Sequence, residues 1–126
     1  MKKGLIFAAL ALVVAMFCSC GLTATKATVS VTVENLLGVK QANVPVYMYE
    51  EEEVEGIFPA EYTKKVITED DGVAVFNLNM MDFPESIIDG EATFYFVVLK
   101  GNGEVADYKA VTVKKGAEKR IKLVMP

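Results

Sequence analysis

The sequence contains no histidine and no tryptophan, and its two cysteines, Cys18 and Cys20, both lie in the first twenty residues. It has a single arginine, Arg120, and beyond residue 20 only two serines, Ser30 and Ser86. These absences exclude the Ser-His-Asp and Cys-His arrangements of nucleophilic catalysis. They also exclude a zinc site built from cysteine and histidine. We therefore do not expect the chain to be an enzyme.

The charge balance is acidic. The 126 residues carry a formal charge of −4, and without Lys2 and Lys3 the remainder has 11 basic against 17 acidic residues. An acidic surface with one arginine is poorly suited to phosphate backbones, so no nucleic-acid partner is expected. Anionic lipid headgroups would repel the same surface. Association with a membrane should therefore require a covalent anchor.

The first twenty residues have the pattern of an export signal. Two lysines follow Met1, and an apolar stretch of 13 residues runs from Leu5 to Phe17. This stretch is shorter than the roughly 20 residues that span a bilayer, and it fits the apolar region of a secretory signal. An ordinary secretory signal, cleaved nearby to leave a soluble protein, is one interpretation.

The end of this segment, Ser19-Cys20-Gly21, resembles a bacterial lipoprotein signal. The resemblance implies a signal peptide over residues 1–19, a lipid on Cys20 and a tether over residues 20–26. It also implies that the protein belongs to the bacterial cell envelope, held at the outer membrane through the Cys20 lipid. The membrane face is left open by the sequence.

From Ala27 onward the apolar residues alternate with period two, which predicts strands with one buried face. The same alternation over 44–49 places Val46 and Met48 inward and Tyr47 and Tyr49 outward. About seven such segments, separated by glycine-containing turns, predict an all-β, antiparallel Greek-key sandwich over residues 27–126. The Asp71-Gly72 turn predicts a hairpin, and the segment 82–90 could hold one short turn of helix between Pro84 and Gly90.

Two stretches carry a resemblance to a known group of domains. The first is Val31-x-Val33-x-Asn35 with the segment that follows, and the second is Thr68–Leu78, with its acidic turn, Gly72 and Phe76. Both are similar to transthyretin-like, carboxypeptidase-regulatory-like or Cna-B-like sandwiches, which have an immunoglobulin-like architecture. This resemblance implies a fold without an active site. The expected function is a non-catalytic accessory or binding module of the envelope.

Four aromatic residues form a candidate binding surface: Tyr47, Tyr49, Phe58 and Tyr62. Tyrosine combines an apolar ring with a polar tip, which suits a wet surface that contacts a glycan or another envelope protein. The alternative is that these rings pair across strands or are partly buried beneath the long connection 50–62. Long connections on a rigid scaffold often carry function, so 56–60 and 80–84 are the preferred candidate loops.

Two acidic segments raise the question of a metal. Glu50 and Glu52 belong to a run of four glutamates, and Asp70 and Asp71 lie in a turn. If the two loops meet at one end of the sandwich, these carboxylates could hold Ca²⁺, which takes six to eight oxygen ligands. The alternative is a solvated acidic loop that keeps the protein soluble, with no cofactor.

Overall fold

The computed structural model describes residues 26–126, which are built almost entirely of strands. The strands are β1 (Lys26–Asn35), β2 (Pro45–Tyr49), β3 (Lys64–Ile67), β4 (Val73–Asn79), β5 (Ile87–Ile88), β6 (Glu91–Leu99), β7 (Val105–Lys114) and β8 (Glu118–Met125). Within this range the one helical element is a 3-10 turn, Met80–Asp82. No helix of residues 26–126 is long and apolar enough to cross a membrane. The predicted signal peptide 1–19, the predicted lipid on Cys20 and residues 20–25 of the predicted tether lie outside the described residues.

The strands form two sheets that pack face to face. Sheet one has the order β4-β1-β8, and sheet two has the order β3-β2-β6-β7, with the short β5 also paired to β6. After the β2–β3 pair in sheet two, the chain returns to place β4 beside β1, the relation expected of a Greek-key connection. The predicted all-β sandwich is confirmed, with eight strands in place of about seven.

One strand pair departs from the antiparallel pattern. β1 and β8 run parallel over eight residue pairs, from Thr28 beside Glu118 to Asn35 beside Met125. All other strand pairs of residues 26–126 are antiparallel. The first and last strands of the domain therefore lie side by side and point the same way.

The core lies between the sheets, where alternation directs every second side chain. β1 contributes Val29, Val31 and Val33, each fully buried. Phe76 of sheet one meets Phe96 of sheet two edge to face, with ring centroids 5.0 Å apart. This contact joins the two sheets at the centre of the apolar interior.

The structure corrects the sequence prediction for the turn between β3 and β4. We expected a hairpin at Asp71-Gly72, but β3 pairs with β2 in sheet two and β4 pairs with β1 in sheet one. The turn is therefore a corner between the sheets. Gly72 has a φ of +75°, and a Cβ there would lie 2.7 Å from the Cβ of Lys40, so conformation and space both require glycine.

The predicted helical turn within 82–90 is also wrong. The 3-10 turn lies earlier, because the Asn79 side chain accepts a hydrogen bond from the Met81 N–H and begins it there. Met80 is fully buried, and Phe83 packs against Phe94 with ring centroids 5.1 Å apart. These two anchors hold the start of the connection on the core, and further along β5 pairs with β6 at the edge of sheet two, where Ile87 also packs against the core.

Candidate functional site

The outer face of sheet two is aromatic, unlike the usual polar face of an antiparallel sheet. The side chains on this face that come from β2 are Tyr47 and Tyr49, as predicted, and they lie opposite Val97 and Tyr95 of β6. Tyr108 of β7 pairs with Val97 on the other side. Val97 is fully buried although it points away from the core between the sheets. Something must therefore cover this face.

The cover is the connection 50–62, which we call the covering loop. It folds back over sheet two and places Phe58 among three tyrosines. The Phe58 ring stacks on Tyr49 at 5.0 Å between centroids, meets Tyr108 edge to face at 5.2 Å and lies 5.8 Å from Tyr95. Tyr49 keeps only 8% of its surface exposed. Of the two interpretations of these rings, partial burial beneath the loop therefore describes Tyr49 and Phe58.

A tight turn shapes the tip of the covering loop. The Ile57 N–H donates to the Val54 carbonyl at 2.7 Å, and Gly56 takes a φ of +78°. The Gly56 N–H also donates to Glu52 Oε2 at 3.0 Å, which turns the Glu52 carboxylate inward. Burial raises the pKa of Tyr108, and the negative charges of Glu52 and Glu55 raise it further. The phenol is thereby held in its neutral form against the acidic loop.

Tyr47 and Tyr62 form a second aromatic contact, separate from Phe58. Their ring centroids lie 5.2 Å apart at an interplanar angle of 56°, and Tyr62 remains 46% exposed. The Lys65 ammonium lies 5.9 Å from the Tyr62 centroid, at the limit of a cation–π contact. All four predicted aromatic residues thus lie on one face, but they divide into a covered pair and an open pair.

A groove of about 870 Å³ lies beside the covered pair. The covering loop and the connection between β4 and β6 border it and meet where Ser86 Oγ donates to Glu50 Oε1 at 2.8 Å. Its floor includes Tyr95 and the hydroxyls of Thr93 and Thr112, which are 2.9 Å apart. Six of its lining residues are acidic, and we call it the acidic groove: Glu50, Glu51, Glu61, Glu85, Asp89 and Glu91.

Sequence reasoning did not identify the groove floor. Thr93 and Tyr95 alternate with the buried residues of β6, and Thr112 lies between two buried valines of β7. Alternation along each strand therefore predicts that these side chains point away from the core. The contact between the covering loop and the β4–β6 connection could not be predicted from the sequence, because it depends on which strands share a sheet. The two candidate loops contribute the anchors Phe58 and Phe83, and loop 56–60 also lines the groove through Pro59.

The structure separates the two acidic segments proposed for calcium. Glu50 and Glu52 follow the end of β2, whereas Asp70 and Asp71 follow β3, whose last residue pairs with the first of β2. The two segments therefore lie beyond opposite ends of β2. The condition for a shared site, that these loops meet, is not fulfilled. Within residues 26–126 no group of three or more potential ligands is placed to hold a metal ion.

Six chains of solved structures match this chain, among them a Bacillus anthracis protein and a Streptococcus agalactiae pilin. No protein-family model matches the chain, and no curated protein matches its sequence at a significant level. The Bacillus anthracis TIE protein is similar over 80% of this chain and 17% of its own, with a TM-score of 0.49 and 17% identity. The minor pilin of Streptococcus agalactiae is similar over 79% of this chain and 44% of its own, with a TM-score of 0.48 and 13% identity. This chain thus spans less than half the length of either protein.

Proposed function

We propose that the chain is a non-catalytic binding or accessory module of the bacterial cell envelope, held by a lipid on Cys20. In this proposal the outer face of sheet two is its binding face. The observation that carries the proposal is the acidic groove, where two long connections meet over an aromatic face. Concave sites with a few convergent polar groups and aromatic walls are the usual places for ligands on small domains.

The composition of the groove suits a binding role. Its polar groups are carboxylates, hydroxyls and phenols, which offer negative charge and hydrogen-bonding groups to a ligand. The acidic groove is therefore equipped to hold a ligand by charge and hydrogen bonds.

The position of the first strand supports an anchored orientation for the groove. The Gly116 N–H donates to the Lys26 carbonyl, and the Lys115 N–H donates to the Gly90 carbonyl. The start of β1 and the groove residues next to Gly90 thus share one end of the sandwich. A lipid on Cys20, six residues before Lys26, would be joined by a tether of at most about 20 Å. The groove would then lie near the membrane surface.

The anchor is tested by feeding cells an alkyne fatty acid and probing the full chain for the label. We expect label on the wild type and none on Cys20→Ala. Label that persists on Cys20→Ala would exclude Cys20 as the lipidated residue. Protease shaving of intact cells, with a tag at the C-terminus, then assigns the membrane face.

The binding face is tested by a photo-crosslinking residue placed in living cells at Thr112, in the groove. The matched control is Val75, which is 44% exposed on the outer face of sheet one. We expect discrete adducts from Thr112 and none from Val75. Equal adducts from both positions, or none from Thr112, would contradict the choice of face.

A glycan ligand is a second candidate, favoured by the open Tyr47–Tyr62 pair. Exposed tyrosine rings can pack against sugar faces while the hydroxyl remains in water. If this candidate is right, Tyr62→Ala should abolish binding to envelope oligosaccharides, and Glu85→Gln should leave it unchanged. Loss of oligosaccharide binding in both variants would instead indicate that the groove takes part in binding.

A further inference from the structure

The charged side chains that line the acidic groove are all negative. No lysine or arginine is among its lining residues. Of its six carboxylates, Glu91 alone is in an ion pair within residues 26–126, with the Lys114 ammonium at 3.3 Å. Like charges held near one another raise the local negative potential, and walls of low dielectric focus it. A positively charged ligand would relieve this repulsion.

The aromatic walls provide a second, independent indication of a cation. Tyr49 and Tyr95 are both lining residues of the groove. The Tyr49 ring is stacked by Phe58, so Tyr95 is the tyrosine of the groove that can attract an ammonium or guanidinium group. The molecule shows this contact on the same sheet face, where the Lys65 ammonium lies 5.9 Å from the Tyr62 centroid. A ligand lysine over Tyr95 would repeat this internal arrangement.

The hydroxyls of the floor and wall indicate that the cation is carried by a peptide. Thr63, Thr93 and Thr112 each present a group that can donate and accept a hydrogen bond. An extended peptide offers both carbonyls and N–H groups to such a surface, whereas a polyamine offers donors only. The groove volume of about 870 Å³ exceeds what a single ammonium group fills.

We propose that the acidic groove binds an extended, lysine- or arginine-rich segment of a partner protein. This inference rests on the proposed function and names the ligand class of the same face. Carboxylates at the rim attract the side-chain cations, Tyr95 packs against them, and the threonines pair with the peptide backbone. Because the groove would lie near the membrane in an anchored protein, the segment would belong to a partner at the membrane surface.

The test measures binding of pentalysine to the full chain in a non-ionic detergent by isothermal titration calorimetry. The groove variant is Glu51→Gln/Glu61→Gln/Glu85→Gln. Within residues 26–126 these three side chains have no hydrogen bond or ion pair, so the change should not affect folding. The control variant, Asp70→Asn/Glu104→Gln/Glu118→Gln, removes the same charge outside the groove.

We expect pentalysine to bind the wild type and the control variant alike, and the groove variant about tenfold more weakly, as the loss of three exposed charge pairs predicts. Added salt should weaken the wild-type binding. Circular dichroism and urea unfolding verify that all three proteins are folded.

Three results would overturn the inference. Equal weakening in both variants would mean that net charge, not the groove, attracts the peptide. Spermine that binds as tightly as pentalysine would mean that the backbone is not recognised. If pentalysine does not bind the wild type, the cationic class is wrong. Adducts from Thr112 in cells would in that last case leave the proposed function standing, which separates the two failures.

Discussion

The two sheets of this sandwich share one core but differ in their outer faces. The outer face of sheet one carries short polar side chains, such as Thr28 and Thr32 of β1, with Val75 of β4 exposed among them. Sheet two carries tyrosines on its outer face, and Phe58 of the covering loop packs over them. Sheet one is thus buried on one side, and sheet two is buried on one side and partly covered on the other.

This difference shows how a small domain gains a site without an extra domain. A covered sheet face needs aromatic side chains that the loop can pack against, and the loop edges then form walls. The sheet face without a loop has no wall and remains a flat polar surface. The groove therefore depends on the covering loop. The comparison can be tested with variants of the core, of the covering loop and of the outer face of sheet one.

The largest effect should come from the shared core. Phe76→Ala removes a fully buried ring that packs on Phe96 and leaves a cavity between the sheets. We expect a loss of about 3–5 kcal/mol in the free energy of unfolding, measured by urea denaturation. A loss below about 1 kcal/mol would mean that the two sheets do not depend on this contact.

Phe58→Ala should have the second largest effect, since it weakens the outer layer alone. Phe58 is only partly buried but contacts three tyrosine rings, so we expect a loss of about 2 kcal/mol. Phe58→Leu, which keeps apolar volume and loses the ring stacking, should cost about half as much. If both variants match the wild type in urea, the covering loop does not stabilise sheet two.

A pH-dependent effect should be found on the covered face of sheet two. Burial raises the pKa of Tyr49 in the folded protein, with a smaller contribution from Tyr47. The unfolded chain therefore loses this proton first, near pH 10, and the associated stability is lost as the pH rises through the folded pKa. We expect the unfolding free energy to fall less steeply above about pH 10 in Tyr49→Phe than in the wild type. Parallel curves would contradict a raised pKa.

The smallest effect should come from the open face of sheet one. Val75→Thr changes an exposed side chain and keeps β-branching, so the unfolding free energy should stay within about 0.5 kcal/mol of the wild type. Its thermal midpoint by circular dichroism provides the measurement. A loss as large as that of Phe58→Ala would remove the contrast between the two faces.

The sequence was a good guide wherever one strand decided the outcome. Alternation correctly directed Val46 and Met48 inward and Tyr47 and Tyr49 outward, because the side-chain period of a strand is fixed. It failed where two strands had to be matched. The residues of the turn at Gly72 are typical of a hairpin, but the turn does not determine whether the next strand joins the same sheet.

The candidate site was predictable in part for the same reason. The aromatic residues were recognised from their types and spacing, but whether Phe58 covers Tyr49 or stands free depends on the path of the covering loop. The acidic groove needs Glu50 and Ser86 side by side, 36 positions apart in the chain. A local sequence pattern cannot predict a contact between residues this far apart, so the groove can be recognised only in the folded structure.

The parallel pairing of β1 with β8 also determines how the domain bears a mechanical load. A pull between Lys26 and Met125 acts on opposite ends of adjacent strands, so the hydrogen bonds of eight residue pairs resist together in shear. The β6–β7 pair, joined by a turn at one end, would instead open one bond after another if pulled apart at its other end. Single-molecule pulling through the chain ends should therefore show one abrupt rupture at higher force than pulling through β6 and β7, and equal forces would exclude this shear geometry. If the domain is tethered at its first strand and pulled at its last, the hydrogen bonds between β1 and β8 would resist unfolding together.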